Sequence, residues 1–184
     1  MDFSCFPSIS AYYTDNTFVS IQIFLFFIPQ NWFSCDNTLF ISALLMVLSA
    51  LPRRCEHHIF PSFHGKDVRR GFLSCLLKEF KEKGIDVFID NDIERSKLIG
   101  PKLTEAIRGS LIAIVLISRN YASSTWCLNE LVEIMKCRDE DEQMVEVIFY
   151  EVDPSDVKKQ KGDFGAVFDK TCAEKSTDEV ERWR

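Results

Sequence analysis

The stretch LIAIVLIS, Leu111–Ser118, constrains this chain more than any other. It is apolar throughout as far as Ile117, so a strand built from it has no face to offer water. Strands of that kind occupy the middle of parallel sheets, where both faces are covered. The segments around it supply the covers. HHIFPSF (57–63) is a short apolar run ended by His64-Gly65 and reads as a first strand. Asp67 stands where a helix cap is needed, and Val68, Phe72, Leu73, Leu76, Leu77 and Phe80 follow at the helical period. Lys81 and Lys83 meet the negative end of that helix, and Gly84 closes it.

IDVFID (85–90) is the expected second strand and NDIERSKLIG (91–100) a polar loop, with Pro101 placed to start the short helix PKLTEAIRGS. After the central run come a helix opening at SSTWCLNELVEI (123–134), a fourth strand MVEVIFYEV (144–152), a break at DPSDV and a helix from DFGAVFDKTC (163–172). EVERWR reads as the first turns of one more helix. Strand–helix alternation through short loops predicts an α/β fold with a parallel sheet and right-handed crossovers.

Residues 1–52 follow no such pattern. They hold Asp2, Asp15 and Asp36 but no Lys or Arg, so half of the net charge of −6 falls there. Two apolar runs, Phe18–Ile28 and Leu39–Leu51, are each shorter than the ~20 residues a helix needs to cross a bilayer. Pro29, Asn31, Asp36 and Asn37 prevent their fusion, and no basic residue precedes Arg53 as a signal peptide would require. Three readings stay open: a membrane hairpin or anchor, an unusual signal sequence, or an extension upstream of a start at Met46, which is favoured. Any membrane association would run through residues 18–51.

The acidic balance, with a pI of about 5.1, argues against a general nucleic-acid binder. Seven scattered cysteines without a C-x-x-C, and the three histidines His57, His58 and His64, lack metal-ligand spacing. They fit reduced thiols in the cytoplasm or nucleus. No G-x-G-x-x-G or P-loop is present to cradle phosphates. A receiver domain is excluded, because the first strand ends at Ser62-Phe63-His64 and the third at Ser118, without the carboxylates that chemistry needs.

Ligands of open α/β sheets bind outside the carboxyl ends of the strands, here Ser62–Lys66, Asp90–Gly100, Ser118–Thr125 and Tyr150–Asp156. One of these edges leads into SSTWCLNELVEI, where Glu130 lies four residues after Trp126 and hence on the same helical face. Taken alone, such a glutamate is a solvated helix residue, with Glu133 extending an acidic face, and Trp126 is a half-buried packing residue. Cys127 is by default a buried thiol, since no histidine lies near it in sequence to act as a base.

Four long blocks change that weighing: FPSFHGKDVRRGFLSCLLKEF, FIDNDIERSKLIGPKLTEAI, SRNYASSTWCLNELVEI and FYEVDPSDVKKQKGDFGAVF. In order and spacing they resemble a plant Toll/interleukin-1 receptor (TIR) domain over about residues 58–184. The resemblance implies a flavodoxin-like parallel sheet with flanking helices across 57–184, lacking the family's last edge strand and closing helix. It implies NAD⁺ hydrolysis on self-assembly in plant immune signalling, with NAD⁺ as substrate and no metal or cofactor. Position by position, the catalytic glutamate becomes Glu130, and Trp126, Ser124, Phe63, His64 and Gly65 become pocket residues. Asn91–Gly100 becomes the loop that gates the pocket and packs on a neighbouring domain, through Ile93 and Gly100. Cys127 matches a cysteine tied to a side activity in which some members make 2′,3′-cyclic nucleotides from nucleic acid.

Cleaving the nicotinamide–ribose bond builds positive charge on the sugar, which a fixed carboxylate stabilises. The leaving nitrogen is already cationic and needs no acid to protonate it. Two departures favour a second reading, a catalytically silent module that binds and regulates other TIR proteins. The family's usual F-R-G-E-D is here Phe63-His64-Gly65-Lys66-Asp67, and a Ser-His pair used in domain contact is Ser74-Cys75.

Overall fold

In the computed structural model, residues 55–89 and 100–184 are described. Both apolar N-terminal runs, Met46 and Ile93 lie outside the described residues. Three strands, β1 (His57–Phe63), β2 (Ser110–Ser118) and β3 (Met144–Tyr150), form a parallel sheet in the order β1-β2-β3. Between them run α1 (Gly65–Val68), α2 (Phe72–Glu82), α3 (Pro101–Arg108) and α4 (Thr125–Asp141), the last entered through a 3₁₀ turn at Tyr121–Ser123. After β3 come α5 (Pro154–Lys159), α6 (Gly162–Cys172) and α7 (Thr177–Trp183). The result is the α/β architecture that the alternation predicts, with β2 in the centre and almost wholly buried.

Alternation along the strands divides the core in two. Ala113, Val115 and Ile117 of β2, with Phe60 of β1, face α3, α4 and α6. Ile112, Ile114 and Leu116, with Ile59, face Val68 of α1 and Leu73, Leu76 and Phe80 of α2. No helix among the described residues is long and apolar enough to cross a membrane.

Three expectations are corrected. The strand expected at 85–90 is, through Ile89, a single parallel bridge between Val87 and Ile59. Ile59 exchanges both its backbone groups with this segment, donating to Asp86 O and accepting from Phe88 N. The next donor of that ladder would come from residue 61, and Pro61 has no N–H, so the pairing stops. The helix expected from Asp67 onward is two helices broken at Arg69–Gly71, and the residue at its N-cap is His64. DPSDV, expected as a break, is the start of α5: Asp153 caps it by accepting from Ser155 N, and Pro154 takes the first helical position.

Candidate active site at the strand ends

The helix carrying Glu130 starts where the sequence provides a cap. Ser124 is extended, and its hydroxyl accepts from the Cys127 N–H at 3.3 Å. One turn further on, Glu130 points back toward β1 and is only 7% exposed. It is therefore not the solvated helix glutamate expected of its type. The Trp126 indole N–H donates to its Oε1 at 2.5 Å, and Ser62 Oγ lies 2.6 Å from its Oε2. Ser62 shares the β1 face of Phe60 and is wholly buried. Its hydroxyl also meets Tyr121 Oη at 2.8 Å, and Tyr121 Oη reaches Cys127 O at 3.1 Å. Burial pushes the Tyr121 phenol well above its ordinary pKa, helped by Cys127 and Glu130 nearby, so the ring keeps its proton.

A hollow of about 150 Å³ opens beside this carboxyl. Its walls include Phe63, His64, Gly65, Ser124, Trp126, Cys127 and Glu130, so the expected pocket residues meet at one place. Cys127 is buried, with Sγ 3.5 Å from Phe63 O. Lys66 and Arg69 stand exposed at the rim, Arg69 with its guanidinium 5.4 Å from the centre of the Phe63 ring.

Behind the rim, Asp67 does not cap a helix but ties α1 to the end of β2 and the turn after it. Its carboxylate accepts from Ser118 Oγ at 2.6 Å, Asn120 N at 3.0 Å and Asn120 Nδ2 at 3.1 Å. Burial pushes its pKa up, but these hydrogen bonds and the nearby His64 outweigh it and leave the carboxyl below its ordinary value. His64 Nδ1 lies 3.1 Å from Asp67 Oδ1, yet off the hydrogen-bonding direction, and this buried nitrogen has no hydrogen-bond partner among the described residues.

The residues expected at domain contacts lie apart. Ser74 and Cys75 are exposed on α2, against the opposite sheet face from α4. Gly100 is the N-cap of α3. Ser62, Ser118 and Tyr121 fall within the strand-end segments where a ligand is expected, but the sequence assigns none of them, nor Asp67, a role in the site. The available signal is a hydroxyl closing each of two apolar strands, Ser62 near the end of β1 and Ser118 at the end of β2. Among the described residues, no group of three or more His, Cys, Asp or Glu side chains is gathered to hold a metal.

Comparison with known proteins gives a consistent relationship. The family model described as "TIR domain" matches residues 56–184. The chain is 63% identical over 136 residues to the probable disease resistance protein RPP1 of Arabidopsis thaliana, covering 74% of this chain and 11% of that protein. With the disease resistance protein TAO1 of the same plant it shares 59% over 136 residues, covering 74% and 12%. Among solved structures, the TIR domains of the activated Roq1 resistosome, which directly recognizes the pathogen effector XopQ, match with a TM-score of 0.63. The identity there is 41%, covering 70% of this chain and 79% of that one. The chain thus spans a small fraction of the curated relatives' length and most of the solved TIR domain.

Proposed function

The chain belongs to the TIR domain family, and from that premise we propose that it is a self-associating NAD⁺ hydrolase in plant immune signalling. One observation carries the reading: the Glu130 carboxyl is fixed by Trp126 and Ser62 at the wall of a hollow at the strand ends. In the proposed reaction the C1′–N bond breaks and its electron pair goes to the pyridinium nitrogen, releasing neutral nicotinamide. Water adds to C1′ and loses a proton, so NAD⁺ and water give nicotinamide, ADP-ribose and H⁺. Glu130 opposes the charge that develops on the ribose, and the fixed geometry means little reorganisation at that moment. Trp126 offers an aromatic face to the hollow, and Lys66 and Arg69 bring positive charge to its rim, suited to a dinucleotide's phosphates.

The test is NAD⁺ consumption by the purified chain over a range of concentrations, beside Glu130→Ala. The reading expects turnover rising faster than linearly with protein concentration and falling by at least about 100-fold in the variant. No turnover from a folded, concentrated chain would overturn it in favour of a silent module that binds other TIR proteins. The observation on that side is His64, which stands where the family's arginine is usual and holds a buried nitrogen without a hydrogen-bond partner among the described residues.

A further inference from the structure

Four groups stand in a row beneath the hollow: the Glu130 carboxyl, the Ser62 hydroxyl, the Tyr121 phenol and the Cys127 carbonyl. Three contacts of 2.6, 2.8 and 3.1 Å join them. The two ends differ from the middle. A peptide carbonyl can only accept, and so can an ionised carboxylate. Between them Ser62 and Tyr121 supply one proton each. Three contacts then share two protons, and one pair of oxygens faces without hydrogen in a place where Ser62 is 0% and Tyr121 1% exposed. A proton on Oε2 of Glu130 removes the deficit. Glu130 then donates to Ser62, Ser62 to Tyr121 and Tyr121 to Cys127 O, while Oε1 still accepts from Trp126.

We infer that Glu130 carries a proton in the empty site, and that Tyr121, acting through Ser62, is the positioning residue that keeps it there. Other groups face the carboxyl from each packed element. Cys127 stands on its own helix, His64 on the turn after β1, and Lys66 and Arg69 at the rim near α1. The two rim cations favour ionisation, but both are exposed and screened by water. From α3 and the segment before residue 90, the hollow is lined by the apolar Leu103, Phe88 and Ile89. The inference deepens the proposed function, because a neutral Glu130 cannot oppose charge on a ribose until its proton leaves into the hollow. Turnover would then require a higher pH than an ordinary glutamate does.

The measurement is the pH titration of the Glu130 side-chain carboxyl carbon in the ¹³C-glutamate-labelled full chain, the resonance being assigned by its loss in Glu130→Gln. The inference expects a midpoint at least about one unit above the ordinary ~4.3 of a glutamate. It also expects opposite shifts in two variants. Tyr121→Phe removes two of the three contacts and leaves the Ser62 proton free for an ionised carboxylate, so the midpoint falls. Ser62→Ala removes the donor that favours the ionised form, so the midpoint rises. A merely structural role would move both the same way or neither. A wild-type midpoint at or below the ordinary value overturns the inference without any variant, and parallel shifts overturn the assigned roles. No NAD⁺ is present, so a raised midpoint in a chain that leaves NAD⁺ intact would sink the hydrolase reading alone.

Discussion

Asp67 and Ser118 meet at 2.6 Å across the carboxyl ends of β1 and β2, and this contact frames the hollow from behind. Ser118 lies on the β2 face of Leu116, turned toward α1, while Ser62 on β1 is turned toward α4. Two buried serines thus fasten opposite sides of one strand-end platform.

Asp67→Ala leaves Ser118 and Asn120 without their shared acceptor. We expect a loss of about 1.5–3 kcal/mol of stability at pH 7, measured by chemical denaturation. Because the folded carboxyl titrates below its unfolded value, this stability is present above the unfolded pKa of 3.8 and is lost as pH falls through the lower folded value. Asp67→Asn should flatten that acid limb, and an unchanged limb would remove the assignment.

Glu146 gives the opposite pH dependence. It is buried on β3 between Met144 and Ile148 of the same face, and burial lifts its pKa from 4.5 to about 7. The folded chain binds more protons than the unfolded one between these values, so stability falls as pH rises through that window. Glu146→Gln should stabilise the protein at pH 8 by on the order of 1–3 kcal/mol and leave it little changed at pH 4. Equal effects at both pH values would contradict the ionisation argument.

Trp126→Phe keeps an aromatic wall but deletes the N–H that reaches Oε1 of Glu130. On the proposed function we expect kcat for NAD⁺ to fall on the order of 10-fold, with KM much less affected. A variant altered only in KM would place Trp126 in binding and not in holding the acid.

Gly165→Ala tests the packing of α6 at its start. A Cβ there would come within 2.2 Å of Gln160 O, a backbone atom that cannot swing aside. The neighbours Phe164 and Phe168 anchor α6 in the core, so the helix cannot retreat without exposing them. A loss of roughly 1–3 kcal/mol is expected, read as a lower Tm. A neutral substitution would mean that the turn before α6 is looser than its geometry indicates.

Sequence and structure agree most where one physical cause dominates. LIAIVLIS becomes β2 because both of its faces are covered, and Ser124 starts α4 because its hydroxyl meets an N–H that needs an acceptor. The expected helix across Arg69–Gly71 fails for a readable reason. Val68 and Phe72 pack on the same sheet face on either side of the break, so the periodicity continues where the helix does not. The shared face of Trp126 and Glu130 follows from local spacing. Ser62 and Tyr121 stand 68 and 9 residues from Glu130 in sequence, and no local pattern brings a strand, a turn and a helix to one carboxyl. That convergence is a product of packing β1 and β2 beneath α4.

The acid and its nearest hydroxyl belong to different pieces of the scaffold, Glu130 to α4 and Ser62 to β1. A slide of the helix over the sheet would lengthen their 2.6 Å contact and loosen the hold on the carboxyl with no residue altered. Mechanical strain on this domain would then be felt first at the acid's support. Whatever presses α4 against β1, or eases it away, bears on how firmly the site holds its acid.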